Sequence, residues 1–269
     1  MTDFLKKMAQ SSAERAALST SLRVTDDFDK APVPLTLGRF DIVAEIKHRS
    51  PAEGSLAAAV GDRTAQARRY ALGGAAAISV LTEPTRFDGA LEHLEAVASA
   101  VPDTPVMRKD FLVEPVQVIE ARAAGASGVL LITTMLTDDK LREMLDVAYE
   151  LGLFVLLESF DEIDLARTSR LLENPRDRDM ADANRLLIGV NTRNLRTLEV
   201  DRDRLERLAP ALPRARRVAE SGLETAADAA SVASLGYEVA LVGSALMRSD
   251  DPAALIRAMR EAGSARVAA

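Results

Sequence analysis

Eight short apolar segments recur along the chain, and each is followed by a stretch with the hydrophobic spacing of an amphipathic helix. The segments begin 22–35 residues apart, which is the spacing that one strand, one helix and two loops require. Most of them are apolar throughout rather than alternating, as is typical of parallel strands that are covered on both faces. The segments predicted as strands are 41–45, 76–81, 105–108, 128–132, 154–158, 186–191, 217–220 and 239–243.

The intervening segments show the periodicity of helices that pack one face onto a sheet. In the fourth of them, Leu141, Met144, Leu145, Ala148 and Leu151 fall on one helical stripe. The segments predicted as helices are 62–72, 89–101, 116–124, 138–151, 162–172, 203–208, 224–235 and 252–262.

Eight consecutive β–α units in about 250 residues predict an α/β fold of the (β/α)8 TIM-barrel type. The main competitor is a doubly wound open sheet, which usually has fewer strands and a glycine-rich turn after the first. Here the first strand is followed by KHRSPAEG, which has no such turn. We therefore expect a single barrel domain over residues 1–269, with an extra amphipathic helix at 2–17. A polar insertion at 173–184 precedes the sixth strand and is expected on the face remote from the chemistry.

Composition excludes several classes of function. The chain has no Cys, so it has neither disulfides nor a thiolate nucleophile, and two His cannot build a three-histidine metal centre. A net charge of −7 argues against nucleic acid or an anionic membrane as the main partner. The N-terminus lacks the apolar core of a signal peptide, and no apolar run approaches the roughly 20 residues of a membrane span. We expect a cytoplasmic protein.

Charged side chains stand where the predicted strands end. In a barrel of this type the carboxyl ends of all strands converge on one mouth, where active sites lie. Two lysines and three glutamates at one mouth are costly unless they pair or shift their pKa values, which favours a site of proton transfer. The alternative is a ring of structural ion pairs. The strand-end residues are Glu45, Lys47, Lys109, Asp110, Glu158, Asn191, Arg193, Glu220, Ser221, Gly243 and Ser244.

The last two units carry glycine-containing turns. Ser221 and Gly222 follow the seventh strand, and Gly243 and Ser244 follow the eighth, where residues 244–247 look like a single helical turn. Such turns after strands seven and eight are the recurrent phosphate site of this fold. Ser50, in the first loop, could cover a phosphate from the side.

The two mouth lysines differ from the other cations of the chain. Only six of the 34 Lys and Arg residues are Lys, yet both Lys47 and Lys109 stand at strand ends. Arginine cannot give up a proton near neutral pH, whereas a partly desolvated lysine can. We interpret both lysines as groups for acid chemistry or for a compact charge. Phe87 and Phe111 either wall a pocket or pack the loops.

Read together, these motifs resemble the indole-3-glycerol-phosphate synthase family of tryptophan biosynthesis. The resemblance covers nearly the whole barrel in order. The matching stretches are VAEIKHRSPA (43–52), ISVLTEPTRFDGA (78–90), PVMRKDFLV (105–113), LES (157–159), IGVNTRNLRTLEVD (188–201), VAESGLE (218–224) and LVGSALMR (241–248).

The resemblance implies a lyase reaction: 1-(2-carboxyphenylamino)-1-deoxyribulose 5-phosphate closes to indole-3-glycerol phosphate and loses CO₂ and water. It implies a phosphorylated small-molecule substrate, no metal or organic cofactor, and a monomer or a weak homo-oligomer. Lys109 would be the general acid, Glu158 the general base for dehydration, and Lys47 a second cation. The other implied site residues are Glu45 and Glu220 beside the lysines, Asn191 and Arg193 on polar groups of the substrate, Ser50, Ser221, Gly222, Gly243 and Ser244 at the phosphate, and Phe87, Phe111, Leu195 and Leu241 around the aromatic ring.

Some residues depart from the family pattern: Ala52 stands where a second serine is usual, and Ser159-Phe160 stands where a smaller valine is common. These departures leave open a weaker activity or a divergent paralogue with a related substrate. Two alternative functions are a phosphoribosyl-type sugar-phosphate isomerase barrel and a non-catalytic paralogue that acts as a complex subunit. The first would typically use an Asp or Cys acid–base couple, and the lysine–glutamate set argues against the second.

Overall fold

The computed structural model describes residues 3–19, 22–26, 28, 30–47, 49–50, 54–55, 62–193, 199–201 and 203–267, with residues 50, 54 and 55 described by their backbone alone. Eight strands lie close to the predicted segments, with every boundary within one residue. The barrel strands are β1 Asp41–Ile46, β2 Ala77–Leu81, β3 Val106–Lys109, β4 Gly128–Ile132, β5 Phe154–Ser159, β6 Leu186–Asn191, β7 Arg216–Glu220 and β8 Val239–Val242. A separate antiparallel pair, Arg49–Ser50 with Gly54–Ser55, lies in the loop after β1.

The eight strands form one closed parallel barrel, in which each strand pairs with its neighbours in the chain. Closure occurs between β1 and β8, where Asp41 pairs with Val239 and Ala44 with Val242. The predicted (β/α)8 fold is therefore confirmed, and the open doubly wound sheet is excluded because such a sheet keeps two free edges.

Helices follow the strands, and the predicted ones are confirmed within two residues at each end. Several begin at a side-chain cap that the sequence supplies, such as Asp62, Thr137 and Asp251. The helices are α1 Asp3–Ala17, α2 Arg63–Leu72, α3 Pro84–Phe87, α4 Leu91–Ala100, α5 Pro115–Ala123, α6 Asp138–Glu150, α7 Glu162–Leu171, α8 Pro175–Asp182, α9 Asp203–Leu208, α10 Ala226–Ser234, α11 Ser244–Arg248 and α12 Pro252–Ser264, with 3₁₀ turns at Thr133–Met135 and Ala209–Ala211.

Two layers of apolar side chains make the core. One layer fills the barrel interior with alternate strand residues, such as Val43, Leu130, Phe154, Leu187 and Val218. The other lies between the strands and the surrounding helices. Because both faces of each strand are covered, near-continuous apolar segments are stable here. Towards the carboxyl ends the interior positions become charged, which places polar groups at one mouth.

The N-terminal helix α1 packs on the barrel rather than standing apart from it. Its Leu5 and Met8 are buried in the interior cluster. The hydroxyl of Ser12 accepts a hydrogen bond from the side-chain amide of buried Gln117 at 2.8 Å, which ties α1 to α5. This helix was predicted over residues 2–17.

The polar insertion at 173–184 folds as helix α8. Asn174 caps it and Pro175 occupies its first turn, a combination that favours helix initiation. Its Asp177 is buried and accepts hydrogen bonds from Arg142 at 2.7 Å and from the Tyr149 hydroxyl at 3.0 Å. The insertion lies in a helix-to-strand connection, on the face opposite the strand carboxyl ends. In the described ranges, no helix is both long and apolar enough to cross a bilayer.

Candidate active site

A cavity of about 350 Å³ opens at the carboxyl ends of the strands. Strand ends supply its charged floor, and loops with the N-terminal helix supply its apolar rim. The lining residues are Phe4, Glu45, Lys47, Leu81, Phe87, Lys109, Asp110, Phe111, Leu130, Ile132, Glu158, Asn191, Arg193, Val200, Ser221, Gly222, Leu223, Glu224, Leu241, Val242, Gly243 and Ser244.

Lys109, at the end of β3, is held between carboxylates. Its Nζ lies 2.9 Å from Glu45 Oε2 and 3.6 Å from Glu220 Oε2. Lys47 Nζ lies 3.4 Å from the other oxygen of Glu45. Burial raises the pKa of Glu45, but attraction to Lys109 and Lys47 outweighs burial and lowers this pKa to about 2. Glu45 is therefore an ionised bridge between two ammonium groups.

The pKa of Lys109 shifts in the direction opposite to the one expected from desolvation. Burial lowers this pKa, but the charges of Glu45, Glu220 and Glu158 outweigh burial, and the pKa of Lys109 lies above its ordinary value. The surrounding carboxylates therefore outweigh desolvation, and Lys109 is a protonated ammonium group in this site.

Asn191 ends β6 with its amide in a defined orientation. Its Oδ1 accepts hydrogen bonds from the Arg193 backbone N–H and from the Ser221 hydroxyl, both at 2.9 Å. Because Oδ1 already accepts two hydrogen bonds, the side-chain NH₂ of Asn191 is the part of the amide that can bind a ligand, and it does so as a hydrogen-bond donor.

The turn after β7 has an uncommon backbone. Ser221 and Gly222 have φ of 70° and 76°, so both are left-handed. That conformation costs a serine about 1–2 kcal/mol. The Ser221 hydroxyl bond to Asn191 and a 3.1 Å bond from the Thr192 hydroxyl to the Ser221 carbonyl hold it. Stored strain of this kind is typical of ligand-binding turns.

Gly243, after β8, makes room for the charged cluster. A Cβ at this position would lie 2.6 Å from Glu45 Oε1. Ser244 follows as the first residue of α11, the short helix expected there. Glycine is therefore needed beside Glu45, in addition to any role in backbone contact with a ligand.

Three aromatic rings form the apolar side of the cavity. Phe111 lies 5.8 Å from Phe4 in an edge-to-face arrangement and 6.1 Å from Phe87, measured between ring centroids. Phe87 and Phe111 therefore wall the pocket rather than only packing the loops. The sequence did not indicate Phe4 as a site residue, because Phe4 lies on α1 and the candidates were residues at the ends of the predicted strands.

The chain matches the sequence pattern of indole-3-glycerol phosphate synthase over residues 6–259. It belongs to the indole-3-glycerol phosphate synthase family. Relatives of that name include one from a Nocardioides species, 48% identical over 219 residues, which are 81% of this chain and 79% of the relative. Another, from a Parafrankia species, is 44% identical over 90% of this chain and 85% of its own length. A third, from Mycolicibacterium vanbaalenii, is 40% identical over 95% and 91%.

Solved structures outside the indole-3-glycerol phosphate synthase family share the fold. A 3-hexulose-6-phosphate synthase from Salmonella typhimurium superposes with a TM-score of 0.63 at 18% identity, covering 84% of this chain and all of that one. A thiamine phosphate pyrophosphorylase from Pyrococcus furiosus gives 0.58 at 15% identity, covering 86% and 98%. At these identities the likeness shows the barrel alone.

The residues that resemblance to the indole-3-glycerol phosphate synthase family singled out come together here, with three exceptions. Glu220 is buried behind the cavity and contacts Lys109 instead of lining the wall. Leu195 and the side chain of Ser50 lie outside the described residues. Interior alternation along the strands could have found three further wall residues, Leu81, Leu130 and Ile132.

Proposed function

We propose that the chain catalyses the ring closure of 1-(2-carboxyphenylamino)-1-deoxyribulose 5-phosphate to indole-3-glycerol phosphate, with loss of CO₂ and water. The observation that carries the proposal is Lys109, held by carboxylates at the floor of a cavity that Glu158 also lines. Membership of the indole-3-glycerol phosphate synthase family supports it. A ring closure that protonates the ketone oxygen and later expels that same oxygen as water needs both a proton donor and a proton acceptor.

Lys109 is the proposed general acid and Glu158 the proposed general base. Because the pKa of Lys109 is raised, the ammonium enters the reaction fully protonated. Its proton passes to the ketone oxygen as the ring carbon attacks and that oxygen becomes strongly basic. After CO₂ has left, Glu158 takes the anilino N–H proton as the new hydroxyl departs, and the Lys47 ammonium supplies the proton with which that hydroxyl leaves as water. Lys47, beside Glu45, is a second cation for the substrate carboxylate and an alternative acid.

The remaining roles follow the two sides of the cavity. The turns at Ser221–Gly222 and Gly243–Ser244 are proposed to bind the phosphate, with Ser50 covering it. Asn191 donates from its amide nitrogen, and Arg193 pairs with the anthranilate carboxylate. Phe87, Phe111 and Leu241 line the cavity and enclose the aromatic ring, and Phe4 adds a third aromatic face. Leu195 is proposed for the same ring on the family resemblance alone.

The proposal also covers the setting of the reaction. The substrate is a phosphorylated small molecule that needs no metal or organic cofactor. A cytoplasmic location, a monomer or weak homo-oligomer, and the absence of nucleic-acid or membrane partners are proposed with it, supported by the net charge of −7.

Indole fluorescence tests the activity directly, because the chain has no Trp to contribute background. Purified protein mixed with the anilino-deoxyribulose phosphate should generate indole emission. The proposal is falsified if no indole product forms while phosphoribosylanthranilate is isomerised, since that result selects the isomerase alternative. Absence of both activities selects the non-catalytic paralogue.

A further inference from the structure

Glu158 and Glu220 lie on strands that are not adjacent, yet their carboxyl groups approach each other across β6. Glu158 pairs in register with Gly189 of β6. The Glu220 carboxyl from β7 occupies the space above Gly189, where a Cβ would overlap Glu220 Oε1. The missing side chain at Gly189 therefore leaves room for the Glu220 carboxyl on the interior face of the barrel that Glu158 also occupies, and the two groups interact there.

Among the described residues, the buried carboxyl group of Glu220 lacks the donors that an ionised carboxylate needs. Glu220 is fully buried and Glu158 is 2% exposed. Within the described ranges, neither carboxyl oxygen of Glu220 receives a hydrogen bond, and the nearest ammonium, Lys109 Nζ, is 3.6 Å away. Two neighbouring carboxylates inside a barrel repel each other, and a charge on buried Glu220 would have no hydrogen-bond donor, so one proton between the two groups supplies the missing donor.

The charges around Glu158 and Glu220 also favour one bound proton. The cluster holds Glu45, Glu158 and Glu220 against Lys47 and Lys109, which leaves one excess negative charge if all are ionised. Lys109 Nζ lies closer to Glu45, at 2.9 Å, than to Glu220, at 3.6 Å, and Lys47 Nζ lies 3.4 Å from Glu45. Asp164, at the start of α7, adds a further carboxyl on the side of Glu158. One bound proton makes the inner cluster neutral.

We propose that Glu158 and Glu220 share one proton in the resting protein, with Glu158 as the ionised group that faces the cavity and Glu220 as its buried donor. The inference deepens the role of Glu158 as general base and rests on that proposed function. In it Glu220 is a positioning residue: its O–H holds one carboxylate oxygen of Glu158 and leaves the other for substrate. Burial and the neighbouring Glu158 raise the pKa of Glu220, in agreement with this arrangement.

Infrared difference spectroscopy in D₂O tests the shared proton without any substrate. At about pH 8, above the ordinary range of carboxyl pKa values, the wild type should still show a protonated carboxyl band. The band should disappear in Glu220→Gln, which removes the group that carries the proton, and should change frequency in Glu158→Gln, which replaces the hydrogen-bond partner of that group. Asp164→Asn is the matched control: burial raises the pKa of Asp164 to about 6, so this group is ionised at the chosen pH and the band should persist unchanged. A wild type without the band, a band that survives Glu220→Gln, or a band that Glu158→Gln leaves unshifted overturns the proposal.

A second measurement is the midpoint of the acid limb in the plot of kcat against pH. A purely structural role of Glu220 would not change this midpoint. If Glu220 carries the proton, the amide of the Glu220→Gln variant copies the neutral donor and the midpoint of the limb should stay within about 0.3 pH unit of wild type. If Glu220 is ionised, the substitution removes a neighbouring negative charge and the midpoint should fall by about 1 unit. Failure of the proposed function would leave no profile to measure, whereas the infrared result would still decide the protonation state.

Discussion

The Arg15 guanidinium holds both carboxylate oxygens of Asp110, at 2.8 and 2.9 Å, across 95 residues of sequence. Asp110 is fully buried and also accepts hydrogen bonds from the Thr82 hydroxyl and the Phe111 backbone N–H, both at 2.8 Å. One carboxylate therefore joins helix α1 to the ends of β2 and β3. Because Asp110 follows Lys109 directly, the helix that brings Phe4 to the cavity is anchored beside the proposed acid.

Replacing Arg15 should loosen α1 and weaken substrate binding. Arg15→Met leaves the buried Asp110 with Arg108 at 3.4 Å as its remaining cation partner among the described residues. We expect a loss of about 1–3 kcal/mol in the free energy of unfolding, less than for a fully buried pair because Arg15 is partly exposed. KM should rise several-fold, with kcat changed less, because Phe4 loses its position.

Urea unfolding measures the change in stability of the Arg15→Met variant, and steady-state kinetics measures the changes in KM and kcat. Lys6→Met, at an exposed position of the same helix, is the control, and equal behaviour of the two variants would contradict the anchoring role.

Lys109→Arg separates charge from proton transfer. Arginine keeps the positive charge between Glu45 and Glu220 but gives up no proton, so kcat should fall by roughly 100-fold or more. Lys140→Arg, at a lysine paired with Glu114 and Glu143 on the surface of α6, should retain full activity. Turnover of the Lys109→Arg variant close to wild type would remove Lys109 from the role of general acid.

Most of the fold follows from local patterns, because parallel strands buried on both faces have a distinct apolar signature. The expectation that residues at the carboxyl ends of the strands share one mouth correctly placed Glu45, Lys109 and Glu158 in one cavity. Barrel closure brings these positions together whatever the conformation of the loops. Helix α8 could also have been predicted, because Asn174 and Pro175 form a helix-start signal. The polar composition of residues 173–184 instead suggested an insertion without regular structure.

Contacts between distant segments were beyond sequence reasoning. The pairing of Arg15 with Asp110 depends on how α1 docks, and no periodicity encodes it. The direction of the Lys109 pKa shift depends on how many carboxylates surround the ammonium, a count that only the assembled barrel supplies. The space that Gly189 leaves for Glu220 is likewise a product of strand register and not of the glycine itself.

Gly243→Ala should damage the site by displacing Glu45. The added Cβ would lie 2.6 Å from Glu45 Oε1, so the carboxylate must move and its contacts with Lys47 and Lys109 must change. We expect a drop in kcat of about tenfold or more together with a higher KM, because the same turn is proposed to bind the phosphate. Gly38→Ala is the matched control, since its added Cβ meets its nearest neighbour at an ordinary 3.4 Å. A Gly243→Ala variant with unchanged kinetics would show that Glu45 tolerates displacement.

Acid should destabilise the fold through Glu45. The pKa of Glu45 is about 2 in the folded protein against an ordinary 4.5, so the unfolded chain takes up the proton first as the pH falls. The stabilisation is complete above about pH 4.5 and is lost as the pH approaches 2, and it amounts to about 3 kcal/mol at most.

Urea unfolding of wild type and Glu45→Gln over this range gives the difference in free energy of unfolding, which cancels contributions from other carboxyls such as Asp164. The difference should shrink steadily as the pH falls. Glu95→Gln, at an exposed helical position, should show a small difference that does not change with pH. A difference for Glu45→Gln that stays constant from neutral pH to about pH 2.5 would mean that Glu45 is not held ionised by the two lysines.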